Sequence, residues 1–256
     1  MIDRRELLAR ARERRIPLPM IEKDYVLGWA LFGIAHISEL TFKGGTALAK
    51  LYFPETWRLS EDLDFVTNAG VWDELAGRVP EALSLAGESS GLRFAVKSEH
   101  TNPGYMQLKV QYAGPLGRNW VKIDITPEAP VVETRLMRLS RAYSDYPDFR
   151  VRVEQIEEIF AQKLRALVER KKVRDFYDVW QMSHLDADRA QVADLFHRKL
   201  AIKKVDWHSP DNFFPPNLAE TLEGYWENEL GRLIRPVPDM HSVLSELRQS
   251  LDWLGA

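Results

Sequence analysis

The sequence predicts an α+β protein, with a sheet-and-helix part over residues 1–147 and a helical part over 148–256. Three observations lead there. Phe94 to Ser98, Met106 to Tyr112 and Trp120 to Thr126 alternate apolar and polar residues, and Asn102-Pro103-Gly104 and Gly114-Pro115-Leu116-Gly117 separate them as turns separate the strands of a meander. From Val153 onward the spacing becomes helical, over Val153 to Arg170, Phe176 to His184, Ala187 to Leu200, Leu218 to Leu230 and His241 to Trp253. Between the two patterns, Tyr146-Pro147-Asp148 offers a soft boundary.

Taken in order, Asp3 to Arg15 reads as a basic amphipathic helix with Leu7, Leu8 and Ala11 inward, ended by Ile16-Pro17-Leu18-Pro19. Ile21 to Ile37 is apolar nearly all round, which predicts a buried helix. Thr41-Phe42-Lys43 is a short strand entering Gly44-Gly45, and Thr46 to Tyr52 resumes helical character until Pro54. Leu59 to Val66 alternates as a strand, and residues 72 to 88 read as a further helix before the meander.

Composition narrows the function classes. A chain of 256 residues with 45% hydrophobic and 29% charged residues can bury one large core or two modest ones, which excludes disorder as the main theme. Zero cysteines exclude disulfides, thiolate nucleophiles and cysteine metal sites and fit a reducing compartment, with the cytoplasm as the default. The first residues have no apolar h-region, and the longest apolar run, Tyr25 to Ala35, is too short for a bilayer span, so no membrane role is expected. A net charge of −3 is no bulk polycation, so a nucleic-acid partner would need local patches. Three are visible: Arg4, Arg5, Arg10, Arg12, Arg14 and Arg15; Arg135, Arg138 and Arg141; and Arg165, Arg170, Lys171, Lys172 and Arg174. Solvated helix faces are the plainer account of any one patch alone.

The chemistry concentrates in Lys43-Gly44-Gly45-Thr46 and Arg58-Leu59-Ser60-Glu61-Asp62-Leu63-Asp64. A strand entering paired glycines lets backbone N–H groups approach a phosphate, although a tight turn explains Gly-Gly-Thr equally well. Residues two apart in a strand share a face, so Asp62 and Asp64 stand side by side while Leu63 and Phe65 point inward. Adjacent carboxylates repel unless solvent or a divalent cation intervenes, and two aspartates holding Mg2+ over a triphosphate suit nucleotidyl transfer. In Trp120 to Thr126 the same alternation turns Val121, Ile123 and Ile125 inward and Asp124 outward, and Asp124 completes a triad if the two strands are neighbours.

The helical part adds Lys163, which falls inside the apolar stripe of Ile156, Ile159, Phe160, Leu164 and Leu167. Either its stem snorkels to solvent or its charge meets triphosphate oxygens in a cleft. Asp175 and Asp178, three apart, share one side of a helix, with a helix N-cap the plain alternative for Asp175.

These blocks, together with Glu157-Glu158 and the upstream Glu22-Lys23-Asp24-Tyr25-Val26-Leu27-Gly28-Trp29, resemble the AbiEii/AbiGii toxin family of the polymerase-β-like nucleotidyltransferase superfamily, and the match runs in order over about residues 20 to 180. The resemblance implies a nucleotidyltransferase core with a short mixed sheet and flanking helices, a helical C-terminal lobe, and an active site between them. It implies the toxin half of a bacterial toxin–antitoxin pair, attaching NMP from an NTP to the 3′ end of tRNA so that aminoacylation stops. Mg2+, with Mn2+ as a substitute, an NTP, tRNA and a cognate antitoxin are the implied cofactor and partners. By position, Gly44, Gly45 and Thr46 would bind triphosphate with Lys43, Arg58 and Ser60 beside them. Asp62 and Asp64 would hold metal with Asp124, Lys163 would contact nucleotide, and Asp175 or Asp178 would complete the site. The same core also serves protein or small-molecule acceptors, and a nucleotide-binding module without turnover is the rival from another class.

Overall fold

The computed structural model describes residues 1–54, 56–68 and 72–255. The chain forms two compact units, Met1–Glu154 and Gln155–Ala256.

The first unit begins with α1 (Arg4–Arg14), capped by the Asp3 carboxylate, which accepts from the N–H groups of Arg5 and Glu6 at 2.9 Å. Helix α2 (Leu18–Ile34) starts earlier than the apolar run suggests, because a proline in the first turn of a helix gives up no hydrogen bond. Then come β1 (Thr41–Lys43), α3 (Gly44–Ala47) continuing into a π-turn over Leu48–Tyr52, β2 (Asp62–Val66) and α4 (Trp72–Ser90). The meander is β3 (Arg93–Asn102), β4 (Tyr105–Gly114) and β5 (Gly117–Thr126), each strand longer than its apolar alternation and antiparallel to the next. Two short strands follow that the sequence reading did not anticipate, β6 (Arg135–Arg138) and β7 (Arg150–Val153). Their four residues each are too few to establish a period, and the arginine spacing at 135 and 138 looked helical.

Among the described residues the seven strands make one mixed sheet in the order β3-β4-β5-β2-β1-β7-β6. β2 runs parallel to β5 and antiparallel to β1, and β1 runs parallel to β7. Because β7 belongs to this sheet, the first unit continues past Pro147 to Glu154, whose N–H donates to the Phe42 carbonyl at 3.0 Å. The apolar sheet face is dry: Phe42, Leu63, Leu108, Val110, Ile123 and Ile125 are fully buried, and the Phe42 and Phe65 rings lie 5.2 Å apart. Burying such side chains contributes roughly 1.5–3 kcal/mol each.

Helix α2 is buried around most of its circumference, carboxylates included. Asp24 meets Lys50 at 2.8 Å and the Tyr143 hydroxyl at 3.0 Å, and Glu22 accepts from the Tyr112 hydroxyl at 3.3 Å. The acidic residues of the Glu22 to Trp29 block therefore anchor the helix. Burial, partly offset by bonds from Leu116 N–H and Tyr112, pushes the Glu22 pKa up.

The second unit holds α5 (Ile156–Glu169), α6 (Val173–Ser183), α7 (Arg189–Lys203), α8 (Leu218–Leu230) and α9 (Met240–Ser250). Its core includes the rings of Phe176, Phe196 and Phe213, and an ion pair of 2.7 Å between fully buried Glu158 and Lys199. Among the described residues no helix is long and apolar enough to cross a membrane.

Candidate active site

The polar face of the sheet gathers the carboxylates. Parallel pairing of β2 with β5 sets Asp64 directly opposite Asp124 and Asp62 opposite Lys122, while β1 sets Lys43 opposite Asp64. Cα partners in register point to the same side, so Asp62, Asp64, Asp124 and Lys43 share one face. All four are half-buried. On the other flank, Gln107 of β4 pairs with Asp124, and its Nε2 and the Tyr105 hydroxyl both donate to Asp124 Oδ1, at 2.9 and 2.7 Å. Burial, the Asp124 hydrogen bond and the fields of Asp124, Asp64 and Asp62 push the Tyr105 pKa well above its ordinary value, so the phenol stays a donor.

The glycine turn lies against these carboxylates. Gly44 has φ +77°, and a Cβ built there would come within 2.5 Å of Asp64 Oδ2. Only glycine meets both requirements. A Cβ on Gly45 would stand 3.0 Å from Arg58 Nη2 and 3.4 Å from Ser60 Oγ, so the turn, the arginine and the serine meet at one place. Arg58 is buried and donates to the Leu59 carbonyl at 3.0 Å. The Thr46 side chain is buried as well, and its hydroxyl donates to the Asp62 carbonyl, tying the turn to β2. Lys43 Nζ donates to Thr126 Oγ1 at 3.3 Å.

In the helical unit Lys163 does not snorkel. Its Nζ lies 3.2 Å from Asp175 Oδ1 and 2.9 Å from Asp178 Oδ2, and Arg170 Nε donates to Asp175 Oδ2 at 2.8 Å. Both aspartates therefore face the lysine. The N-cap of α6 is Lys172, and Asp175 lies within the first turn. Burial alone would raise the Asp175 carboxyl, but the Lys163 and Arg170 charges outweigh it and hold its pKa down at about 2.

Residues 29–255 match the family model described as nucleotidyl transferase AbiEii toxin of type IV toxin–antitoxin systems. The chain belongs to this family. Among solved structures, this AbiEii chain is similar to MenT4, nucleotidyltransferase toxin Rv2826c from Mycobacterium tuberculosis H37Rv, with a TM-score of 0.77 and 20% identity over 99% of this chain and 90% of that one. It is also similar to JHP933 from Helicobacter pylori, with a TM-score of 0.61 and 19% identity over 93% of each chain. At these identities the likeness speaks for the fold, an α+β nucleotidyltransferase fold. A comparison with curated proteins returns no match. The family makes the chain a nucleotidyltransferase toxin of a type IV system, which implies an NTP substrate and an antitoxin partner.

Within this AbiEii fold the first unit brings Lys43, Gly44, Gly45, Thr46, Arg58, Ser60, Asp62, Asp64 and Asp124 to one end of its polar face, and Lys163, Asp175 and Asp178 form their own cluster in the second. Sequence reasoning missed Tyr105 and Gln107, whose period-2 spacing along β4 was the available signal. Among the described residues no three His, Cys, Asp or Glu side chains are gathered closely enough to hold a metal ion. What suits a hard cation is the Asp62 and Asp64 pair, which share one face of β2, with Asp64 Oδ2 packed where a Gly44 side chain would stand.

Proposed function

We propose that this toxin transfers NMP from an NTP to the 3′ hydroxyl of tRNA in a Mg2+-dependent reaction. The observation that carries the reading is the Asp64 carboxylate packed on the Gly44 turn, because it sets the charge that would hold a cation beside the backbone that would hold a triphosphate. Asp62 and Asp64 would hold Mg2+, or Mn2+, which when bound offsets the charge on the α-phosphate and on the departing pyrophosphate. The 3′ oxygen attacks the α-phosphorus as the bond to the β-phosphate oxygen breaks, and pyrophosphate leaves with the electron pair. Asp124, its Oδ1 fixed by Tyr105 and Gln107, takes the hydroxyl proton.

Gly44, Gly45, Arg58 and Ser60 form the triphosphate cradle, with Lys43 beside Asp64 and Thr46 bracing the turn from behind. Lys163 is assigned to the nucleotide by its motif, and Asp175 and Asp178 hold it in place. Incubating the protein with bulk bacterial tRNA, Mg2+ and each α-labelled NTP, then resolving the RNA on a denaturing gel, tests the reading. Label from an NTP, lost in a folded Asp62→Asn protein, is expected. Pyrophosphate release without labelled RNA would transfer the reading to a protein or small-molecule acceptor, and nucleotide binding with no release would leave a binding module.

A further inference from the structure

Of the three basic patches read from the sequence, the one in the helical unit is largely spent on the scaffold, and the one on α1 is spent in part, Arg4, Arg5, Arg12 and Arg15 staying exposed. On α1, Arg14 donates to the Trp57 carbonyl at 2.7 Å and Arg10 to the Ala142 carbonyl. In the second unit Arg165 is buried, Arg170 is bound to Asp175, and Lys171 Nζ donates to the Asn212 carbonyl at 3.0 Å.

The hairpin of β6 and β7 differs. Phe42 pairs with both Phe65 and Val153, so Val151 and Val153 belong to the apolar face and Arg150 and Arg152 to the face that carries Asp62 and Asp64. Register carries this one strand further: Leu136 stands opposite Arg152 and Arg138 opposite Arg150. Three guanidiniums and an apolar side chain, Leu136 at 59% exposure, thus form an outward patch at the sheet edge. Like charges directly opposite on neighbouring strands destabilise a sheet. Asp148 meets Arg138, and Arg152 donates to Thr134 Oγ1 at 3.2 Å, while Arg150 stands directly opposite Arg138. An anion on this face would relieve that repulsion. The arrangement suits a polymer of phosphates, because the cations extend both along β7 and across to β6 on the face that carries Asp62 and Asp64, with Arg138 three strand spacings, roughly 14 Å, across from β2.

We propose that the β6–β7 hairpin, through Arg138, Arg150 and Arg152, binds the sugar-phosphate backbone of the acceptor RNA at a distance from its reacting 3′ end. The inference rests on the RNA-acceptor reading above and names the surface that serves it. The test is a triple variant, Arg138→Gln, Arg150→Gln and Arg152→Gln, compared with the parent for binding of bulk bacterial tRNA from 50 to 200 mM salt, for KM and kcat in tRNA labelling, and for NTP affinity. Expected are a tRNA Kd and KM raised at least tenfold, a log–log salt slope reduced by about 2 to 3, and an unchanged NTP affinity and melting temperature. If the parent labels tRNA and the triple variant keeps the parent's tRNA Kd and slope, the hairpin site is overturned and the acceptor reading stands. If the parent neither binds nor labels tRNA, both are overturned.

Discussion

The carboxylates of the sheet face and the ion pairs around Lys163 handle charge in different ways. On the polar face of the sheet three carboxylates share one side, Asp64 and Asp124 directly opposite one another, half-exposed and flanked by donors. In the helical unit Asp175 and Asp178 are more deeply buried, and Lys163 and Arg170 neutralise them at hydrogen-bond distance. A cluster that balances its own charge needs no ligand to be stable. The sheet face sets two like charges, Asp64 and Asp124, directly opposite one another, and a bound cation would relieve that repulsion.

The sharpest way to break this comparison is Asp64→Asn. It removes one of two like charges that face each other and keeps the shape, so the protein should stay folded while NMP transfer falls by at least about a hundredfold. Labelling assays paired with thermal melts check it. A melt that drops while transfer survives would mean the carboxylates are structural.

The reverse pattern is expected of Lys163→Met. Removing the cation takes one ion partner from each of two buried carboxylates, Arg170 staying with Asp175, a loss of about 3–5 kcal/mol read by urea unfolding. Adding Asp175→Asn and Asp178→Asn should restore a large part of that stability. The resemblance assigns Lys163 to the nucleotide, and its two ion pairs give it a structural load as well. Should Lys163→Met unfold like the parent and lose only NTP affinity, the cluster serves the nucleotide rather than the fold.

Titration gives a smaller effect with a definite sign. The folded pKa of Asp175 is about 2, below its ordinary 3.8, so its contribution is present above pH 4 and is lost as pH falls through that range toward 2. The amount is on the order of 2 kcal/mol. Unfolding free energies of the parent and of Asp175→Asn should converge as pH drops from 5 to 2. A difference that stays constant would mean the ion pairs do not set the pKa.

Much of the carboxylate face was legible in the sequence, because period-2 alternation assigns faces without knowing the partner strands: Leu63 and Phe65 inward made Asp62 and Asp64 outward, and Ile123 and Ile125 did the same for Asp124. The pairing of β2 with β5 depends on a long connection that no local pattern encodes, so the triad was conditional. Lys163 stood out as a cation in an apolar stripe, but its partners lie on another helix, and α-helical spacing says nothing about which helices meet. The β6–β7 hairpin was missed, and with it Arg150 and Arg152 on the carboxylate face, although Arg138 was visible in a basic patch, because β7 takes its place through its pairing with β1.

The smallest expected effect tests how the active face is held. Tyr105 and Gln107 donate to the same oxygen of Asp124, so either alone keeps that carboxylate anchored. Tyr105→Phe should therefore cost about 1 kcal/mol or less in stability and under tenfold in transfer, and Gln107→Leu should behave alike. The double variant leaves Asp124 Oδ1 without either donor, and its loss should exceed the sum of the two singles, because the second deletion removes the anchor that masked the first. Steady-state labelling rates across the four proteins measure the coupling. Strictly additive losses would mean that Asp124 is aligned by its strand alone, and that the donors shape the face without positioning the base.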